Sequence, residues 1–178
     1  MLTVIKLGGV ITTILLLIQG IDDKNPLLQK ICNGADNKNC NAILSSNAAN
    51  LSAYLSWSEV GFFYFSGTWL VILFESNHIA LLQMLASFNL VSLPYTIYSI
   101  YFQWRIAKQW CTLCCIVQVI LWSEFFTFLP YLTSGIKVPS GHEWGNFLMI
   151  SFLPIIIWTL IKPLLSQPEQ TYPLKQQL

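Results

Sequence analysis

Cys111-Thr-Leu-Cys114 sets two thiols one helical turn apart, a spacing at which a pair can close to a disulfide, reopen and pass two electrons onward. The thiolate is the reacting form. At a helix start it meets unpaired backbone N–H groups and the positive end of the helix dipole, both of which stabilise it. Arg105 and Lys108, just upstream, add positive charge. A second pair, Cys32-x7-Cys40, brackets Asn33, Gly34, Asp36 and Asn39. A loop of that composition can close a disulfide and can also swing, as a relay requires, because a loop thiolate must attack another disulfide through a mixed disulfide. Other readings stand beside the relay. The two pairs together supply a tetrahedral thiolate set for zinc, or the loop pair is a static staple in a structural membrane subunit. Cys115, rotated by about 100° from Cys114 on a helix, is read as a packing residue facing a neighbouring span or lipid.

The elements that position these thiols must be apolar. Of 178 residues, 54% are hydrophobic and 10% charged, against roughly 25% charged in soluble domains. A hydrocarbon layer of about 30 Å is crossed by roughly 20 apolar residues. Charges, prolines and polar clusters mark off five such stretches, at 3–20, 58–75, 79–103, 110–132 and 145–162. The expected fold class is an all-α integral membrane protein. Residues 1–135 are expected to form a four-helix transmembrane bundle around a pocket, and 136–178 a loop, a fifth transmembrane helix and a short polar tail. The first stretch carries Lys6 and runs without charge from Val10 to Ile18, as a signal-peptide core does, but Gln19-Gly20-Ile21-Asp22-Asp23 offers no A-x-A-like cleavage site. It is read as an uncleaved span, with a cleaved signal as the alternative.

The long polar segment from Asp22 to Trp57 holds Cys32 and Cys40, and its second half, 41–55, spaces apolar residues at helical intervals. A short amphipathic helix on the membrane surface is expected there, capping the space between the spans. From this loop the chain crosses down the second span and up the third, so both cysteine pairs face one side. Which side is contested. Counting lysines and arginines puts the cysteines in the cytoplasm, whereas disulfide chemistry belongs in an oxidising compartment, the periplasm or exterior. Charges of both signs and no basic patch interleaved with aromatics argue against nucleic acid as a partner. The lipid bilayer is the expected surroundings.

Polar side chains within spans need partners or a purpose. Gln118 falls four residues after Cys114, on the same helix face and one turn deeper. It suits a hydrogen bond to a ring carbonyl, or a bond between helices. Glu59, at the mouth of the second span, and Glu124, deep in the fourth, are weaker candidates, and Glu59 suits a helix cap. Aromatics are dense at Phe62-Phe63-Tyr64-Phe65, Trp69, Tyr95, Tyr98, Tyr101, Phe102, Trp104 and Trp110. Many suit interface anchoring, and some could wall a planar ring.

In motif order the chain resembles the vitamin K epoxide reductase family in its bacterial, quinone-linked form. A C-x7-C loop pair comes first, and Cys40-Asn-Ala-Ile-Leu-Ser-Ser46 puts a serine at the sixth position after its second cysteine. Gly61 follows in the second span, and a C-x-x-C opens the fourth. The resemblance runs from the first span to about residue 132. The other quinone-coupled thiol oxidase family of bacteria carries its C-x-x-C in the first loop and fits poorly. The resemblance implies Cys32, Cys40, Cys111 and Cys114 as catalytic residues, Ser46 near a head-group pocket, menaquinone or ubiquinone as co-substrate without a metal, and a bacterial inner membrane location. The fifth span is similar to the helix that leads into a thioredoxin-like domain in bacterial members. No such domain follows here, so a separately supplied thioredoxin-fold partner is expected. Two positions depart from the family pattern. Trp57-Ser58-Glu59-Val60-Gly61 lacks the asparagine usual before the second span, leaving Ser58 or Glu59 to stand in, and Gln118 replaces an aromatic hydroxyl.

Overall fold

The computed structural model describes residues 1–21, 30, 40–44, 46, 49–52, 55–74, 79–133 and 140–165. Five helices in it are long and apolar enough to cross a membrane. They are α1 (Leu2–Ile21), α3 (Trp57–Phe74), α4 (Ile79–Tyr101, continued by a π-helical turn at Phe102–Ala107), α5 (Thr112–Thr133) and α6 (Gly141–Leu165). The short helix α2 (Cys40–Leu44) and a hairpin of β1 (Asn50–Ser52) and β2 (Leu55–Ser56) lie between α1 and α3.

Packing follows which residue of each turn is small or polar. α1 lies between α3 and α5, α5 also packs on α4, and α6 packs on α3. On α1 the inner face reads Lys6, Gly9, Val10, Thr13, Leu16 and Leu17, all buried, while Val4, Ile11 and Ile18 face outward. That outer face would be unfavourable in water and is the expected one in lipid. Three apolar clusters stack along the bundle. Val71, Leu81, Leu85 and Phe128 fill the end where α1 starts, Val10, Phe65 and Leu121 fill the middle, and Leu16, Ile43, Cys111 and Leu113 fill the cysteine end. α6 is the least enclosed, with Met149 77% exposed.

The surface helix expected over 41–55 is shorter than its pattern suggested. Ser46 donates its hydroxyl to the carbonyl of Ile43 at 2.7 Å, the kind of local bond by which serine ends helices. Asn50 then pairs with Ser56 and Ser52 with Leu55, antiparallel. Among the described residues the cap holds the helical turn α2 and the hairpin, with α2 seated on α1 and on the π-helical turn.

Close approach of α1 and α3 depends on Gly9, where an added Cβ would run into the Phe65 ring. Gly9→Ala is expected to destabilise the bundle by about 1–3 kcal/mol, the usual cost of overpacking. Gly20→Ala, with nothing within 4 Å of an added Cβ, should stay within about 1 kcal/mol of wild type, on the more stable side because helices favour alanine. Thermal unfolding in detergent separates the two.

Candidate functional site

Cys40 opens α2, is fully buried and is disulfide-bonded; Cys32 lies outside the described residues. Cys111 stands immediately before Thr112 and caps α5. Its carbonyl accepts the Cys115 N–H at 3.0 Å and its sulfur accepts the Cys114 N–H at 3.4 Å. A serine or threonine oxygen usually fills that role, so the thiol sits where helix N–H groups and dipole favour negative charge. Cys111 and Cys114 are both unbridged. The Cys114 thiol hydrogen-bonds to Cys111 and, with the backbone N–H groups of Cys114 and Leu113, holds the Cys111 thiol below its usual pKa, against burial that would raise it.

The backbone upstream is shaped to aim this cap. α4 widens into its π-helical turn and stops at Lys108, whose φ of 51° is left-handed. The chain thereby folds back so that fully buried Gln103 accepts the Cys111 N–H at 2.9 Å. Cys115 directs its sulfur at the same oxygen, at 3.9 Å, so it faces the π-helical turn.

Below the cap the bundle holds a half-open cavity of about 340 Å³. Cys114 lines it and Cys111 does not. Cys111 is instead fully buried in one apolar cluster with Cys40, Ile43 and Leu16. Ser46, Ser58 and Gln118 also line the cavity, whereas Glu59 does not. Glu59 accepts the Ser56 N–H at 2.8 Å as a helix cap, and its other oxygen takes Trp158 and Lys162 of α6, each at 2.7 Å. Gln118 donates to Ser99 at 2.7 Å, so it bonds between helices while still facing the cavity. Among the aromatics, Trp57 and Tyr95 stack at 4.4 Å, and both border the cavity.

Several site residues escaped sequence reading. Gln103 is the last residue of the third apolar stretch, and no spacing separates a capping glutamine there from a solvated one. Ser99 is one of many span serines. Lys6 and Glu124 did carry a signal: each is a single charge inside an apolar span, and such charges pair with one another. They meet at 2.8 Å, both fully buried. Among the described residues, no group of three or more His, Cys, Asp and Glu side chains is gathered for a metal ion.

Replacing Cys114 with alanine removes the thiol hydrogen bond that favours the Cys111 thiolate. The pH dependence of Cys111 alkylation, followed by mass spectrometry, should therefore move to higher pH in Cys114→Ala than in Cys115→Ser. An unchanged curve would show that the helix end alone sets the acidity.

The family model described as "Vitamin K epoxide reductase family" matches residues 1–129. No curated protein and no solved structure matches the chain. The matched segment takes in α1 through most of α5, and with it the C-x-x-C, the cap and all the cavity lining. The chain thus belongs to the vitamin K epoxide reductase family, and is a membrane thiol–disulfide oxidoreductase that works with a quinone.

Proposed function

We propose that the chain passes electrons from a separate thioredoxin-fold protein through Cys32 and Cys40 to Cys111 and Cys114, and from there to menaquinone or ubiquinone, supporting disulfide formation. One observation carries this reading: Cys111 is fully buried beside Cys40 and does not reach the cavity, whereas Cys114, packed at the edge of the same apolar cluster, lines it. In that arrangement Cys40 attacks Cys111, and the Cys114 thiolate is released toward the cavity. The acidity of Cys111 then suits it as the leaving group when the loop disulfide reforms. Cys111 next closes the disulfide with Cys114, and the two electrons leave through Cys114. A bridged Cys40 beside unbridged Cys111 and Cys114 corresponds to the stage after relay and before the electrons depart.

The cavity suits a quinone ring, which would supply the two-electron acceptor. At about 340 Å³ it lies at the small end of ligand pockets, roughly 300–1,000 Å³, so the prenyl tail would have to lie outside. Trp57 and Tyr95 offer aromatic faces, and Ser46, Ser58 and Gln118 offer polar contacts. Glu59 is left out of this set by its cap and ion pair. We assign residues 1–135 as the catalytic bundle and 136–178 as an accessory span. The setting we infer is a bacterial inner membrane with the cysteine face toward the periplasm or exterior, where thiol oxidation is sustained.

Cys114→Ala should abolish quinone reduction by a reduced thioredoxin-fold protein, and quinol formation by that variant would refute the assignment. Cys111→Ser should abolish the Cys40–Cys111 mixed disulfide on non-reducing gels without preventing partner binding. Gln118→Leu should raise the quinone KM about tenfold, the worth of one hydrogen bond, with a smaller effect on kcat.

A further inference from the structure

The cavity borders a charged network that the thiol relay does not use. Tyr64, half-buried, lines the cavity wall and donates its hydroxyl to Glu124 Oε2 at 2.9 Å. The Lys6 ammonium donates to the same carboxylate oxygen at 2.8 Å and lies 3.3 Å from the Tyr64 oxygen. Asn89 reaches the Tyr64 oxygen at 3.3 Å and Glu124 Oε2 at 3.2 Å. Phe65 and Phe128 close the site around Lys6. Two buried acceptors, Glu124 Oε1 and Asn89 Oδ1, have no hydrogen-bond partner among the described residues. Both acceptors lie beside an ammonium and a phenol, two groups that can exchange a proton.

Position points the same way. Glu124 lies about 15 Å further along α5 than Cys114, at the helical rise per residue. Cys114 and Tyr64 both line the cavity, and this offset puts the thiol and the network at different depths along it.

We propose that Lys6, Glu124 and Tyr64 form a proton-delivery site, with the Tyr64 hydroxyl handing a proton to the ring oxygen remote from Cys114. The proposal rests on the thiol-to-quinone reading above. Two electrons leave the Cys111 and Cys114 sulfurs as their S–S bond forms, and the quinone, reduced to quinol, needs one proton on each oxygen. The Cys114 thiol provides the proton for the near oxygen, and the Cys111 proton is released on the cysteine side. Tyr64 provides the proton for the far oxygen. Its O–H breaks, and an N–H of the Lys6 ammonium restores it. The aqueous phase at the end where α1 starts reprotonates Lys6. Per turnover, two thiols and one quinone become one disulfide and one quinol, with one proton taken up at one face and one released at the other. Glu124 is the positioning residue, accepting from Lys6 and holding the Tyr64 hydroxyl until a ring oxygen competes for it.

Infrared difference spectroscopy with a chromone tests this without turnover, since the chromone carbonyl accepts a hydrogen bond and thiols do not reduce it. Saturating chromone should shift the Glu124 carboxylate band, identified by its loss in Glu124→Gln, and Tyr64→Phe should remove the shift. An unshifted band in wild type overturns the proposal. In turnover, Tyr64→Phe should lower kcat about 10²-fold, at the low end of general-acid contributions, while the quinone KM changes far less. The double variant Lys6→Met/Glu124→Gln removes both charges together, an exchange that bundles tolerate far better than loss of one partner, and it should show a comparable loss of kcat. Wild-type kcat in either folded variant overturns the proposal, and should the double variant not fold, Tyr64→Phe decides alone. Inactive Cys114→Ala with wild-type Tyr64→Phe rejects only the proton step, whereas active Cys114→Ala rejects the underlying thiol reading.

Discussion

Hydrocarbon supplies no hydrogen bonds, and a single charge buried in it is costly, so Lys6 on α1 and Glu124 on α5 are obliged to find each other. Their meeting draws in Tyr64 from α3 and Asn89 from α4, so one point in the interior touches all four helices of the bundle. Such a pair is weak evidence for stability, since apolar residues of equal volume hold helices as well. Its force lies in what it forbids. Rotating any of the four helices would leave a charge or an amide unpaired.

The rest of the arrangement follows from that restriction. With Lys6 facing inward, Gly9 comes one turn later against Phe65, Thr13 meets Gly61, and Leu16 reaches the cysteine cluster. One face of α1 therefore carries the ion pair, the close helix crossing, part of the cavity wall and the packing around Cys40. The thiol end inherits its geometry from a pairing made deep in the bundle.

The helix ends obey a related rule, because their unpaired N–H groups must be satisfied wherever water is excluded. At α5 the acceptors are the Cys111 sulfur and, for the Cys111 N–H, Gln103. The sulfur that completes the helix cap is also the one whose pKa its surroundings lower, so structural need and reactivity coincide in one atom. At α3 the acceptor is Glu59, whose second oxygen binds Trp158 and Lys162. A cap at the cavity mouth thereby anchors α6, which lies beyond the family-matched residues.

Much of this was legible in the chain itself. Apolar stretches, span parity and the two cysteine spacings pointed to five spans with the cysteine pairs on one side, and Cys40, Cys111 and Cys114 do share one end of the bundle. Gln118 could be tied to the pocket through its spacing from Cys114, and Ser46 only through the family resemblance. The third dimension decided matters that depend on residues far apart in the chain. It turned Glu59 away from the cavity toward α6, cut the surface helix short at Ser46, set Gln103 beneath Cys111, and joined Lys6 to Glu124. None of these has a period or a motif, since each depends on which helix lies beside which, and that choice is made only when the buried polar groups find their partners.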